Sequence, residues 1–140
     1  MTTIIRNKIE SVQRCILRAK FEYEADKENF LTNFSRQDAA ILNVLRACQT
    51  TIDIANHIIK KNKFGLPKSS VESFDILCNN LIIDNELNEK MKKMASFRNL
   101  LIHEYAKSNI KIIEEVIINR LIDLVNFTDK ISEYSKQNKY

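Results

Sequence analysis

Residues 37–61 read QDAAILNVLRACQTTIDIANHIIKK, without a glycine or a proline. Apolar side chains at Ile41, Leu45, Cys48, Ile52, Ala55 and Ile59 recur every three or four residues. That period draws one stripe down a helix, whereas a strand would need strict alternation. The stretch KKNKFGLPK (60–68) closes the helix, because Gly65 suits a turn and Pro67 cannot continue a hydrogen-bonded helix. On the upstream side, Ser35 followed by Asp38 has the form of a capping box and predicts that the helix opens there.

The same pattern extends in both directions. Residues 4 to about 24 carry Ile5, Ile9, Val12, Ile16, Ala19 and Tyr23 in helical steps, and EADKENFLTNF (24–34) then breaks the rhythm as a connection. Ser69 with Glu72 predicts a short third helix bearing Val71, Phe74, Leu77 and Leu81. Asp84 is a suitable N-cap for a fourth helix that reaches to about Ala106. Asn109 can cap a fifth, with Ile113, Ile117, Leu121, Leu124 and Ile131 as its stripe. The terminal SKQNKY reads as frayed. Five amphipathic helices with short links predict an all-α, antiparallel up-and-down bundle forming a single domain over residues 1–140. One glycine and one proline in 140 residues leave almost no turn chemistry for hairpins, which argues against a β alternative.

Composition narrows the function. Cys15, Cys48 and Cys78 are odd in number and widely spaced, fitting neither a disulfide framework nor a zinc site. Cys48 and Cys78 lie on apolar faces and read as free core thiols. No apolar run reaches the roughly 18 residues of a membrane span, and MTTIIRNKIE lacks a signal-peptide core, so a cytoplasmic protein without membrane contact is expected. A net charge of +4 tilts the chain mildly towards anionic partners. The lysines of KKNK (60–63) and KMKK (90–93) could hold an RNA backbone, but each is an ordinary helix-surface lysine.

The chemistry concentrates in RNLLIHEY (98–105). Leu87, Met91, Met94, Ala95, Leu101 and Ile102 define the apolar face of the fourth helix, and Arg98 falls in the middle of it. A guanidinium cannot shed its proton and is costly to bury alone, so Arg98 requires an anionic partner, a cleft or a subunit interface. His103 lies five residues on, about 140° around an ideal helix. Three arrangements could join the two: an arginine reaching round, unwinding near the helix end, or a site where Arg98 of one subunit meets His103 of another. Histidine is a general acid or base near neutral pH, and arginine stabilises charge on a phosphate in transfer. RNA brings its own nucleophile, the 2′-hydroxyl, so the pair suffices for cleavage with no metal or other cofactor, leaving a 2′,3′-cyclic phosphate and a 5′-hydroxyl. The sequence contains neither a metal-ligand cluster nor a phosphate-cradling glycine loop.

The octet matches Arg-x4-His-x-Tyr and resembles the motif of the HEPN ribonuclease superfamily, specifically its HepT-like toxins. QDAAILNVLRACQTTIDIANHIIKK (37–61), GLPKSSVESFDIL (65–77) and MASFRNLLIHEY (94–105) are similar to segments of that family in order and spacing, so the resemblance covers nearly the whole chain. It implies a helical homodimer with active sites at the interface, cleaving RNA such as tRNA or mRNA without metal. By position, it implies Arg98 and His103 as the catalytic pair and Asn99 as the supporting polar residue. It also implies Tyr105 as a tyrosine to which a cognate minimal nucleotidyltransferase antitoxin of the MntA type adds AMP. An adenylate there would add bulk and negative charge beside a site for RNA phosphates.

Blander readings stand beside these. Arg98 could be an interface arginine paired with a carboxylate such as Asp53, His103 a cation at the helix C-terminus, and Tyr105 ordinary packing. His57, Asp53 and Arg46 fall on the polar side of the second helix and read as a solvated face, with His57 a surface residue. Two other functions remain open: a non-catalytic bundle serving as partner or substrate-binding subunit of a nucleotidyltransferase, and a plain adaptor.

Overall fold

The computed structural model describes residues 1–104 and 109–138. Six α-helices run through them: α1 (Thr3–Ala25), α2 (Phe34–Asn62), α3 (Ser70–Asn79), α4 (Asn85–Glu104), α5 (Ile110–Asn119) and α6 (Leu121–Gln137). A 3-10 turn (Lys27–Asn29) lies between α1 and α2, and no strand occurs among the described residues. The expected all-α class is what forms.

The helix starts are fixed by short polar side chains that take up orphan backbone N–H groups. Ser69 Oγ accepts from the Glu72 N–H at 3.1 Å, Asp84 Oδ1 from Leu87 at 2.8 Å, and Asn109 Oδ1 from Lys111 at 2.9 Å, each where the sequence predicts a cap. The start of α2 differs. Asn33, not Ser35, is its cap, accepting from the Arg36 N–H at 3.2 Å. Asn33 is itself held by donating to Asp26 Oδ2 at 2.7 Å, and buried Gln37 donates to the Phe30 carbonyl at 2.8 Å. Two tertiary anchors therefore begin the helix at Phe34 and leave Ser35 as a first-turn residue. At the other end, Lys63 adopts the left-handed conformation (φ 56°) and its N–H closes on the Ile59 and Lys60 carbonyls. Gly65 (φ 115°) then turns the chain away.

Contacts between helices give their directions. Glu22 of α1 pairs with Arg36 near the start of α2, while Lys8 near the start of α1 acts on His57 near the end of α2. The two long helices are therefore antiparallel. Asp75 of α3 accepts from Asn88 of α4 at 2.9 Å and Cys78 donates to Asn85 at 3.2 Å, so α3 and α4 also run in opposite directions. Ser73 donates to Asn56 at 2.6 Å across α2–α3, and Tyr23 to Glu114 at 3.1 Å across α1–α5. Phe74 meets Phe127 edge to face at 5.5 Å, tying α3 to α6 through the centre.

All six helices feed one core, in which Val12, Ala19, Ile54, Ile58, Phe74, Leu77, Met91, Leu124 and Phe127 are fully enclosed. Two departures from the sequence reading stand out. The fifth helix is two, because the chain bends at Arg120 (φ −115°, ψ −19°). Leu81 does not belong to the α3 stripe. The helix stops at Asn79, and Leu81 turns left-handed (φ 63°) and lies 92% exposed. The Ile82 N–H then returns to the Leu77 carbonyl at 3.0 Å, and Ile82 and Ile83 enter the core in its place. No helix among the described residues is long and apolar enough to cross a membrane.

Candidate active site

Arg98, Asn99 and His103 sit in the last two turns of α4. Its cap at Asp84 and the Glu86–Lys90 pair at 3.2 Å support the first turns, and burial holds the rest. Leu87, Met91, Met94, Ala95 and Leu101 all face the core as the wheel predicts. Ile102 does not. It is 46% exposed, and Leu100 is 47% exposed.

Arg98 is half-buried on the core-facing stripe. Its Nη1 donates to Asn99 Oδ1 at 2.9 Å, while its Nε is sealed from solvent with no hydrogen-bond partner. The guanidinium lies close enough to Cys48 of α2 to pull down a thiol that burial pushes up to about 12. Desolvation outweighs the charge there, so Cys48 is a protonated core thiol. Within one chain no ion pair among the described residues joins Arg98 to Asp53, whose Oδ1 accepts from Gln49 Nε2 at 2.9 Å, one turn away on α2 itself. A donor sealed without an acceptor is costly, by about 1–3 kcal/mol. Among the described residues, then, Arg98 has one donor engaged by Asn99 and its Nε unanswered.

Asn99 is half-buried beside Arg98 and steers its guanidinium, so the structure does bring these two together. His103 is exposed on the uncovered side of the same helix, between the exposed Leu100 and Ile102. No hydrogen bond among the described residues joins Arg98 to His103 within one chain. Tyr105 lies outside the described residues.

His57 corrects the reading of the polar face of α2. It is half-buried, and its Nε2 is shut off from solvent without a partner. Burial lowers its pKa first, and Lys61, Lys8 and Lys60 lower it further. Arg46, by contrast, is exposed as expected, and Asp53 is half-buried. Of the lysines in KMKK, Lys90 pairs with Glu86, and Lys92 with Asp75 at 3.2 Å and Glu89 at 3.5 Å; both therefore serve the bundle. Cys78, expected in the core, is half-buried and spends its thiol hydrogen bond on Asn85. Among the described residues no group of three His, Cys, Asp or Glu could hold a metal ion.

The family described as ribonuclease HepT-like matches residues 5–131, and the chain belongs to it. The mRNA nuclease HepT of Shewanella oneidensis is 40% identical over 131 residues, covering 94% of this chain and 98% of that protein. A tRNA nuclease HepT of Aphanizomenon flos-aquae is 28% identical over 102 residues, covering 73% of this chain and 69% of that protein. Among solved structures, the tri-AMPylated Shewanella oneidensis HEPN toxin in complex with MNT antitoxin superposes with a TM-score of 0.89 at 40% identity, covering 95% of this chain and 99% of that one. A toxin–antitoxin structure with AMP-PNP superposes with a TM-score of 0.88 at 39% identity, covering 94% and 99%.

Proposed function

We propose that this chain is the toxin of a toxin–antitoxin pair, a metal-independent endoribonuclease that works in the cytoplasm as a homodimer, with Arg98 and His103 as its catalytic pair. A minimal nucleotidyltransferase antitoxin silences it by adding AMP to Tyr105. The observation that carries this reading is Arg98 itself, a permanent cation on a core-facing stripe whose Nε has no acceptor. A phosphate in transfer supplies the missing negative charge.

The geometry favours an assembly across two copies. On one helix, Arg98 points inward and His103 outward, about 140° apart. The exposed Leu100 and Ile102 flanking His103 form an apolar rim that a second copy covers, and a two-fold contact presents each histidine to the other chain's arginine. His103 then takes the proton of the RNA 2′-hydroxyl as that oxygen bonds to phosphorus. The bond from phosphorus to the 5′-oxygen breaks, the leaving oxygen takes up a proton, and a 2′,3′-cyclic phosphate and a 5′-hydroxyl result. Arg98, aimed by Asn99, stabilises the charge on the non-bridging oxygens. The named activities of the two HepT relatives, on mRNA and on tRNA, support RNA as the substrate. The AMPylated toxin bound to its antitoxin supports the silencing.

The test is incubation of the purified chain with labelled mRNA and tRNA in EDTA, beside His103→Ala. Cleavage with cyclic-phosphate ends by the first and none by the second is expected. RNA bound but intact in both would instead make the chain a non-catalytic partner. Mass spectrometry of the chain co-expressed with its antitoxin should find AMP on Tyr105, and an unmodified tyrosine in a silenced complex refutes that step.

A further inference from the structure

Asp123 stands in the first turn of α6 and is 3% exposed. No hydrogen bond or ion pair among the described residues closes on its carboxylate. Burial raises its pKa, and Lys90, Arg120 and Lys93 oppose that shift from beyond contact distance. A helix N-terminus welcomes an acid, but an acid serving only that purpose belongs in water. Asp123 instead lines a cavity of about 210 Å³ between α4, α5 and α6, walled by Met94, Phe97 and Val116, with Lys90, Lys93, Arg120 and Glu115 also in its lining. Phe97 and Met94 place it on the same two turns of α4 that hold Arg98.

We propose that this cavity receives one guanine base of the RNA substrate, with the Asp123 carboxylate accepting from its N1–H and its 2-amino group. The volume is below the roughly 300–1,000 Å³ of sites that take whole drug-sized ligands, so one ring system enters and its sugar-phosphate stays outside. Met94, Phe97 and Val116 give the otherwise charged cavity one apolar wall with a single aromatic ring, against which an unstacked base can lie. The acceptor selects among the four bases. Guanine alone carries two adjacent donors on its pairing edge, matching the two oxygens of a carboxylate. Adenine and cytosine set a ring nitrogen beside their amine, and uracil flanks its N–H with carbonyls, so each turns a lone pair on Asp123. Lys93 supplies charge for the neighbouring phosphate, whereas Arg120 is held by Glu115 at 3.6 Å. The inference rests on the ribonuclease reading and adds to it a base preference at a fixed distance from the cut.

Limited digestion of a random-sequence RNA by the full-length chain, with sequencing of the ends, tests it. The wild type should favour guanine at one fixed offset from the scissile bond by about 10-fold or more, the discrimination a bidentate base contact gives. Asp123→Asn should cut less and without that preference, and its melting curve serves as the check on folding. Cleavage by the wild type with no fixed guanine, or an unchanged preference in Asp123→Asn, overturns the proposal and leaves the ribonuclease reading intact. If the wild type does not cut at all, the ribonuclease reading fails and binding decides the pocket. GMP should shift the amide resonances of Phe97, Val116 and Asp123, and inosine monophosphate, one donor short, should do so more weakly. No shift with GMP overturns it.

Discussion

Replacing Arg98 by methionine should make the isolated chain more stable while ending its activity. The arginine lies half-buried on the core-facing stripe of α4, with Nε sealed and unpartnered and Nη1 bonded to Asn99 at 2.9 Å. Methionine keeps an unbranched stem of similar reach and has no donor to leave stranded. Removing the stranded donor returns about 1–3 kcal/mol, and losing the bond to Asn99 costs about 0.5–1.5 kcal/mol. The net gain is about 1 kcal/mol, which raises the melting temperature by roughly 3–5 °C for a chain of this size. Cleavage should fall by about 10²–10³, the usual cost of deleting one preorganised donor at a developing charge. The assay is thermal melting followed by circular dichroism at several protein concentrations, so that any dimer contribution separates from that of the chain. A variant that melts several degrees below the wild type at the lowest concentration refutes the reasoning, because the guanidinium must then be satisfied inside the folded monomer.

Other outcomes follow from the same geometry. His103→Ala should lose about 10²–10⁴ of cleavage with no change in melting temperature at the lowest protein concentration, where the side chain of the single chain is exposed, as a melt beside a cleavage assay will show. Ser69→Ala removes the α3 cap and should cost about 0.5–2 kcal/mol by urea denaturation without touching cleavage. Asp75 and Asp123 should give opposite pH signatures. The hydrogen bond from Asn88, then Lys92, holds Asp75 below the usual carboxylate range, so its stabilisation is present above that range and is lost as pH falls through the folded value. Burial raises Asp123, so its charged form opposes folding, and the folded state loses that ground as pH rises through the folded value. Melting from pH 3 to 8 should therefore show Asp75→Asn with a flatter acid limb, and Asp123→Asn gaining on the wild type as pH rises.

The long periodic segments were legible because burial follows the 3.6-residue period. Val12, Ile16, Ile41, Ile52, Met91 and Leu101 all face the core as the wheel predicts. The caps at Ser69, Asp84 and Asn109 were legible because their chemistry is local. What escaped was tertiary. Asn33 caps α2 because Asp26 holds it in place, and nothing between residues 35 and 38 reports that. The bend at Arg120 occurs without glycine or proline, and the even spacing of Ile113, Ile117, Leu121 and Leu124 passes across it unmarked. Arg98 was visible as an anomaly on its own helix, since a cation amid apolar neighbours needs no fold to be noticed. Asp123 was not, because its isolation depends on how α4 and α5 close over it.

Cys48 turns the seam beneath Arg98 into something that can be timed. Its thiol is fully enclosed and pushed up to about 12, so at neutral pH it offers a labelling reagent neither access nor thiolate. Modification there requires α2 and α4 to part, whereas half-buried Cys78 needs no such event. The slow mass increment at Cys48, followed over hours, is a clock for the breathing of the bundle at its arginine, and it runs without any engineered reporter.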